Sequence, residues 1–401
     1  MSIAAVELGS VCRMDRRTTA ASEALGRGLE FVGMEHIDPE TGQITLGQGS
    51  RTGEGKGQAF LFDDRHVLFG KLRPYLRKIA LPCRPGCAST ELVPLLPDTS
   101  RLDRGYLFHW VRRQAVIDML MAKNTGARMP RADMSVLLDM PIPLPPLEEQ
   151  RRIVGLLDRA AEIRRRADTA RAKARAIIPA LFLDMFGDPA KDWPETTIED
   201  ILAKQANAIR TGPFGSQLKH SEFTDEGVPV LGIDNVVDNE FKWAKPRHLP
   251  REKYEVFKRF RVFPGDVIVT IMGTTGRVAV APADLPECMN TKHLCAFTLD
   301  RSLAHPRFVQ GALLFDPSVR AQARGKANGQ IMEGWNMGIV RSMRLRLPPL
   351  PLQTAFAEQT QRLEATARAL DSAATKAEAM AAALSAEVFG APPGKGPGNG
   401  A

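Results

Sequence analysis

One segment occurs twice in this chain. Residues 144–187, opening LPPLEEQRRIVGLLD and closing on FG, return at 347–390 as LPPLPLQTAFAEQTQ, again closing on FG. At a constant offset of 203 and without a gap, Pro145, Pro146, Leu147 and Gln150 fall on Pro348, Pro349, Leu350 and Gln353. Phe186 and Gly187 fall on Phe389 and Gly390. A chain with such a repeat folds as two related halves or wastes the repeat.

The apolar period says what the repeat is. Ile153, Leu156, Ala160, Ile163, Ala167, Ala170, Ala174, Ile177 and Leu181 alternate three- and four-residue steps, the heptad seam of a long helix. The second copy holds Phe356, Gln359, Leu363, Thr366, Leu370, Ala373, Ala377, Met380 and Leu384 in the same slots. The Pro-Pro pair blocks helix before each start, and Gly187 and Gly390 are expected to close each helix in the left-handed conformation. The seam alone gives about 28 residues per helix, roughly 42 Å.

The simplest burial for two such seams is against each other, with Ile153, Leu156, Ile163, Ile177 and Leu181 facing Phe356, Leu363, Leu370, Met380 and Leu384. Charge agrees, because 145–187 is net +3 and 348–390 is net −2. Alanines in the seam favour a close pair. Each helix packing on its own domain, or an intermolecular coiled coil, are the alternatives.

Length and 44% apolar content allow more than one core. The repeat divides the chain into a first domain (1–144), a first helix (145–187), a second domain (188–347), a second helix (348–390) and a Gly/Pro tail (391–401) expected to be disordered. The fold class is α+β: two similar mixed α/β domains joined by two long antiparallel helices, with an approximate internal two-fold. Net charge is +8, yet each globular part carries only +3, so a polyanion would meet local surfaces. Five cysteines with no signal-peptide pattern point to a reducing, cytoplasmic setting, and no run is long and apolar enough for a membrane. Cys83, Cys87, Cys288, His293 and Cys295 lack zinc-site spacing and read as free thiols.

Between the helices the halves match loosely. Residues 29–38 read as extended, 65–82 as two strands around a Lys71-Arg73-Pro74 turn, 88–97 as a strand and 106–123 as helix. In the second half Gly232 falls on Gly33 and Val267 on Val67, and 305–324 is helical. Gly329 and Met332 match Gly126 and Met129.

Enzyme signatures are absent. GSRTGEGKGQ (49–58) has the wrong glycine spacing for a phosphate loop and Gly57 where Ser or Thr is required. No adenine-methylase tetrapeptide, cofactor loop or paired-His motif occurs. Recognition is the expected task, through loops rich in cations, amides and glycine. These contain Lys71, Arg73 and Arg77, then Asn124 and Arg128, then Arg210, Ser216, Gln217 and Lys219, then Thr274 and Arg277, and finally Asn328 and Gln330. Such side chains pair with base edges and phosphates, although each could equally sit in a solvated turn.

The LPPLEEQRRIVGLLD opening, its FG ending, the following GPFGSQLK and VPVLGIDNV, and the second LPPL helix together resemble the specificity subunits of type I restriction-modification systems. The resemblance covers nearly the whole chain. It implies two target recognition domains reading a bipartite site in double-stranded DNA. It also implies helices that space the half-sites and dock two methyltransferase subunits, which join restriction subunits. S-adenosylmethionine, ATP and Mg would belong to those partners, leaving this chain without cofactor or metal. Pro351, Leu352 and Gln353 stand where the first helix has Glu148, Glu149 and Gln150, which leaves the second helix start open. A 42 Å spacer somewhat exceeds one DNA turn, about 34 Å. A protein-interaction scaffold with two heads is the other function class.

Overall fold

In the computed structural model the residues described are 4–46, 57–122, 129–188, 190–214, 217–244, 247–325 and 335–390. The chain forms two compact units, residues 1–168 with 370–401 and residues 169–369. Each unit takes the start of one long helix and the end of the other. The expected tail and the candidates Asn124, Arg128, Ser216, Asn328 and Gln330 lie outside the described residues.

Both long helices hold 40 residues, Leu147–Phe186 and Leu350–Phe389. They start and stop at the repeat offset, and they exceed the 28 residues expected because the seam marks only the span between its outermost apolar slots. Pro351 does not delay the second start. In the first turn its missing N–H has no intrahelical partner to lose. At the far ends only Gly390 is left-handed, with φ +86°. Gly187 instead donates to the Leu183 carbonyl at 2.7 Å, and a Cβ there would lie 2.4 Å from that oxygen. It is needed for room rather than for handedness.

In the first unit a four-stranded antiparallel sheet runs in the order Cys12–Met14, Leu92–Pro97, Val67–Gly70, Ile79–Ala80. A second sheet runs Thr18–Ala20, Gln58–Phe62, Gly86–Ser89, Glu30–Val32, its last pair parallel. Ala5–Glu7 pairs separately with Pro141–Pro143. Strand alternation divides the core. Val67 and Phe69 face Tyr106 and Trp110 of the helix Arg104–Val111, while Leu68 joins Val32, Phe62 and Ala88 between the sheets.

The second unit repeats the plan. Its sheets run Ile209–Thr211, Leu294–Phe297, Val267–Thr270, Val278–Val280 and His248–Leu249, Val228–Leu231, Cys288–Asn290, Arg261–Val262, with Glu195–Thr197 on Arg344–Arg346. The parallel pair recurs as Val228–Leu231 with Cys288–Asn290, but here it is flanked on both sides, by His248–Leu249 and Arg261–Val262, whereas in the first unit its Glu30–Val32 strand is an edge. The matched glycines keep one role. Gly33 N–H donates to His36 Nδ1 and Gly232 N–H to Asn235 Oδ1, each at 2.9 Å across a 3₁₀ turn.

Three expected elements divide. The 88–97 strand becomes Gly86–Ser89 and Leu92–Pro97 in different sheets. The helical stretches become Arg104–Val111 with Gln114–Ala122, and Pro306–Phe315 with Pro317–Gly325.

Within each unit a helix start meets a helix end, so the two run antiparallel. Ile153 shares its core with Val388, Phe389 and the partly buried Leu384. Phe356 packs on Phe182 and Phe186 at centroid distances of 5.5 and 5.6 Å. Ile153, Ala160, Ala167 and Ala174 are buried, and Ile163, Leu181, Leu363 and Leu370 are half-buried. Leu156, Ile177 and Met380 are corrected: they are 41%, 45% and 74% exposed. A straight helix drifts from a strict heptad, so the buried stripe turns away from these slots. A seam position is polar: Arg164 bonds Asp371 at 2.6 Å within the first unit. Apolar periodicity passes over a cation, and it also missed the buried Thr360, Ala374 and Phe182.

Candidate nucleic-acid interface

In each unit the principal sheet presents its inner hairpin turn and the neighbouring loops at one end. In the first unit the turn 71–78 leaves Val67–Gly70 and returns as Ile79–Ala80. Lys71 N–H donates to the Glu91 carbonyl at 2.9 Å, Ala132 N–H to the Lys71 carbonyl at 2.7 Å, and Arg73 N–H to the Pro130 carbonyl at 2.7 Å. This zips the turn to residues 130–132, so the two predicted loops of this half adjoin. Arg73 is exposed and Lys71 half-exposed, and neither side chain is in an ion pair among the described residues. Arg77 is half-buried and its guanidinium bonds Gln114 Oε1.

The turn is rigid and strained. Arg73 and Arg77 both sit at φ +49°, flanking the 3₁₀ turn Pro74–Leu76. The left-handed region costs a side-chain-bearing residue about 1–2 kcal/mol. The second unit places Gly273 (φ +78°) and Gly276 (φ +89°) in the corresponding turn, where there is no such cost.

In the second unit Ile271 N–H donates to the His293 carbonyl and Trp335 N–H to the Ile271 carbonyl, both at 2.9 Å, repeating the zipped arrangement. Gly212 N–H donates to the Thr291 carbonyl at 3.2 Å, and a Cβ on Gly212 would lie 2.2 Å from the Asn290 carbonyl, so this strand exit admits only glycine. Beyond it Phe214 is 51% exposed, Gln217 Oε1 accepts the Phe214 N–H at 3.2 Å, and Lys219 is exposed. Arg277 is half-buried, with a long bond to the Val236 carbonyl of 3.5 Å. Burial first, then the Lys292 and Arg247 cations, hold His293 below its ordinary pKa.

Two predicted readers are corrected. Arg210 is 3% exposed and forms an ion pair with Asp266, which is fully buried. Its other N–H groups donate to the carbonyls of Arg261, Asn207 and Ala208 and to Thr298 Oγ1. Desolvation pushes the Asp266 carboxyl up, opposed by Arg210. Arg210 is structural because its strand position faces inward. Thr274 has its hydroxyl buried without a partner rather than offered at the surface.

Register locates the counterpart of this pair. Leu95 and Phe297 pair with Val67 and Val267, and Met14 and Ile209 lie across from them, so Asp15 corresponds to Arg210 and His66 to Asp266. In the first unit Asp15 Oδ2 lies 3.1 Å from His66 Nε2, with His66 fully buried. In the first unit the acid of the pair follows the edge strand, and in the second it precedes the inner strand.

Sequence reasoning missed Tyr75, Leu76, Phe214, Lys292, Arg247 and Trp335. A separate look at aromatic residues inside the basic loops would have found Tyr75 and Phe214. Burial pushes the thiols of Cys12, Cys288 and Cys295 up to about 12, as suits structural cysteines, and Cys83 is exposed. Among the described residues no group of three or more His, Cys, Asp or Glu could hold a metal, and no helix is long and apolar enough to cross a membrane.

Each unit thus carries a four-stranded sheet with cationic loops at one end, and takes the start of one long helix and the end of the other. Residues 4–166 match the family of the type I restriction modification DNA specificity domain. It is 23% identical over 203 residues to the specificity subunit of the type I restriction enzyme MjaVIII of Methanocaldococcus jannaschii, covering 47% of this chain and 45% of that one. It is 25% identical over 197 residues to the EcoDI specificity subunit of Escherichia coli, covering 45% and 42%. The chain thus matches less than half the length of these curated relatives. The fold is shared with the S subunit of a type I system from M. genitalium, at a TM-score of 0.63 and 11% identity over 96% of each chain.

Proposed function

We propose that this chain is the DNA-reading subunit of a type I restriction-modification complex. Each unit reads one half of a bipartite target in double-stranded DNA through the loops at its sheet end. The long helices dock two methyltransferase subunits, to which restriction subunits attach, and help to set the gap between half-sites. The chain itself is non-catalytic, and S-adenosylmethionine, ATP and Mg act in the partners. The observation that carries this reading is one sheet plan used twice, with loops that differ where they are exposed. A scaffold binding a single partner gains nothing from two differently furnished heads, whereas a split, asymmetric target needs them.

The test is a genome-wide map of methylated adenines in the source cell with and without the gene. Loss of one split motif on deletion is the expected result. If no motif changes and no methyltransferase co-purifies with the chain, the reading fails and the protein-scaffold class takes its place.

A further inference from the structure

We propose that the turn Arg73–Arg77 is the base-contacting tip of the first unit, with the Tyr75 ring and Leu76 seated on bases and Arg73 on the adjoining backbone. This rests on the reading of the chain as a DNA-recognition subunit, and it names the element that gives the first half-site its specificity.

The argument begins with the contrast between the two turns. Where the second unit meets the left-handed positions with Gly273 and Gly276, the first holds Arg73 and Arg77 there. Strained residues of this kind persist when the surroundings fix them and the side chain is wanted in that place. The surroundings do fix them. Pro74 is buried beneath the turn, Leu76 N–H donates to the Arg73 carbonyl and Arg77 N–H to the Pro74 carbonyl, both at 2.9 Å, and Gln114 holds the Arg77 guanidinium.

What this rigid turn presents is unusual for a solvated loop. Tyr75 is 50% exposed and Leu76 39%, and Met129 of the adjoining segment is 54% exposed. Residues 71–78 read KLRPYLRK, with four cations and no acid. A partner that suits such a tip is a polyanion with apolar faces or edges between its charges. Duplex DNA has that character, because an aromatic ring or aliphatic wedge meets bases or thymine methyls while cations meet phosphates. A tip already fixed in shape also loses little conformational entropy on binding.

The test uses the full-length chain, purified with whatever subunits accompany it, on duplexes carrying the methylation motif that disappears on gene deletion. Arg73→Asn and Arg73→Gly accept the left-handed backbone, so the expected melting temperature is unchanged or higher while affinity for the matched duplex falls about tenfold. Tyr75→Ala is expected to lower matched affinity at least tenfold and leave binding to random-sequence duplex within twofold, whereas Tyr75→Phe keeps wild-type affinity. The proposal is overturned if Tyr75→Ala stays within twofold of wild type on the matched duplex, or if Arg73→Asn loses melting temperature without losing affinity in the folded protein. Failure of the wild-type protein to bind any duplex would sink the DNA reading itself, a distinguishable result.

Discussion

The side-chain carbonyl of Gln150 accepts the backbone N–H of Asp103 at 2.8 Å, so the first turn of the long helix is tied to the residue that caps the helix Arg104–Val111. Its amide donates to the carbonyls of Arg101 and Pro145 at 2.9 and 2.8 Å. Gln353 repeats all three bonds, to His305 N–H and to the carbonyls of Leu303 and Pro348, at 2.8, 3.1 and 2.8 Å. Both glutamines are fully buried. Gln150→Leu keeps the bulk but leaves one N–H and two carbonyls unpaired, at about 1–3 kcal/mol each when buried. We expect a loss of roughly 3 kcal/mol or more in urea unfolding, with a similar loss for Gln353→Leu. A loss below about 1 kcal/mol would mean that these backbone groups find water instead.

Arg210 and Asp266 form a buried pair in which removing one member strands the other. Arg210→Leu should therefore cost about 3–5 kcal/mol. Adding Asp266→Leu should recover much of that loss, since two buried charges leave together. A double-mutant cycle by thermal melting measures the coupling. Equal and additive losses would show that the pair is not coupled.

Acid stability should report on Asp15. Burial pushes its carboxyl up, but the Arg17 side-chain and backbone N–H groups and His66 more than offset this and hold it at about 2. A carboxylate depressed in the folded state stabilises above its unfolded pKa near 4 and loses that contribution as pH falls through the folded value. About 2 kcal/mol should disappear between pH 4 and pH 2. Asp15→Asn should remove that part of the slope in stability measured against pH, and an unchanged slope would contradict the assignment.

Arg164 and Asp371 are partly exposed, so their pairing contributes less, about 0.5–1 kcal/mol. Arg164→Glu places a fourth acid beside Asp168, Asp371 and Glu378 and should lower the melting temperature of the first unit. Combining it with Asp371→Arg should restore part of the loss, which calorimetry would detect. No recovery would mean that the helix pair does not depend on this contact.

Sequence alone reached the long helices because a 203-residue repeat with conserved Pro-Pro and Phe-Gly boundaries is a local signal. It reached the matched glycines for the same reason, since each starts a short turn. What it lost was direction. Arg210 has the composition of a DNA contact, but pairing with Ala296 turns its side chain inward, and that is a fact of sheet register. Leu156 and Ile177 have the composition of a seam, but helix rotation carries them outward while Arg164 enters. Tyr75 was passed over because the loops were chosen for cations, amides and glycine, and only the turn's geometry sets its exposure.

The exchanged places of the acid in Asp15–His66 and Arg210–Asp266 bear on how the chain folds. Two sheets of one plan in a single polypeptide sit at high effective concentration and risk trading equivalent strands. An interchange of residues 12–15 with Ile209–Thr211 would set Asp15 beside Asp266, two carboxylates in place of the buried Arg210–Asp266 ion pair. It would also set Arg210 against His66. Each strand is thereby matched to its own sheet by charge, and a folding error that the backbone hydrogen bonds would permit is penalised at a fully buried position.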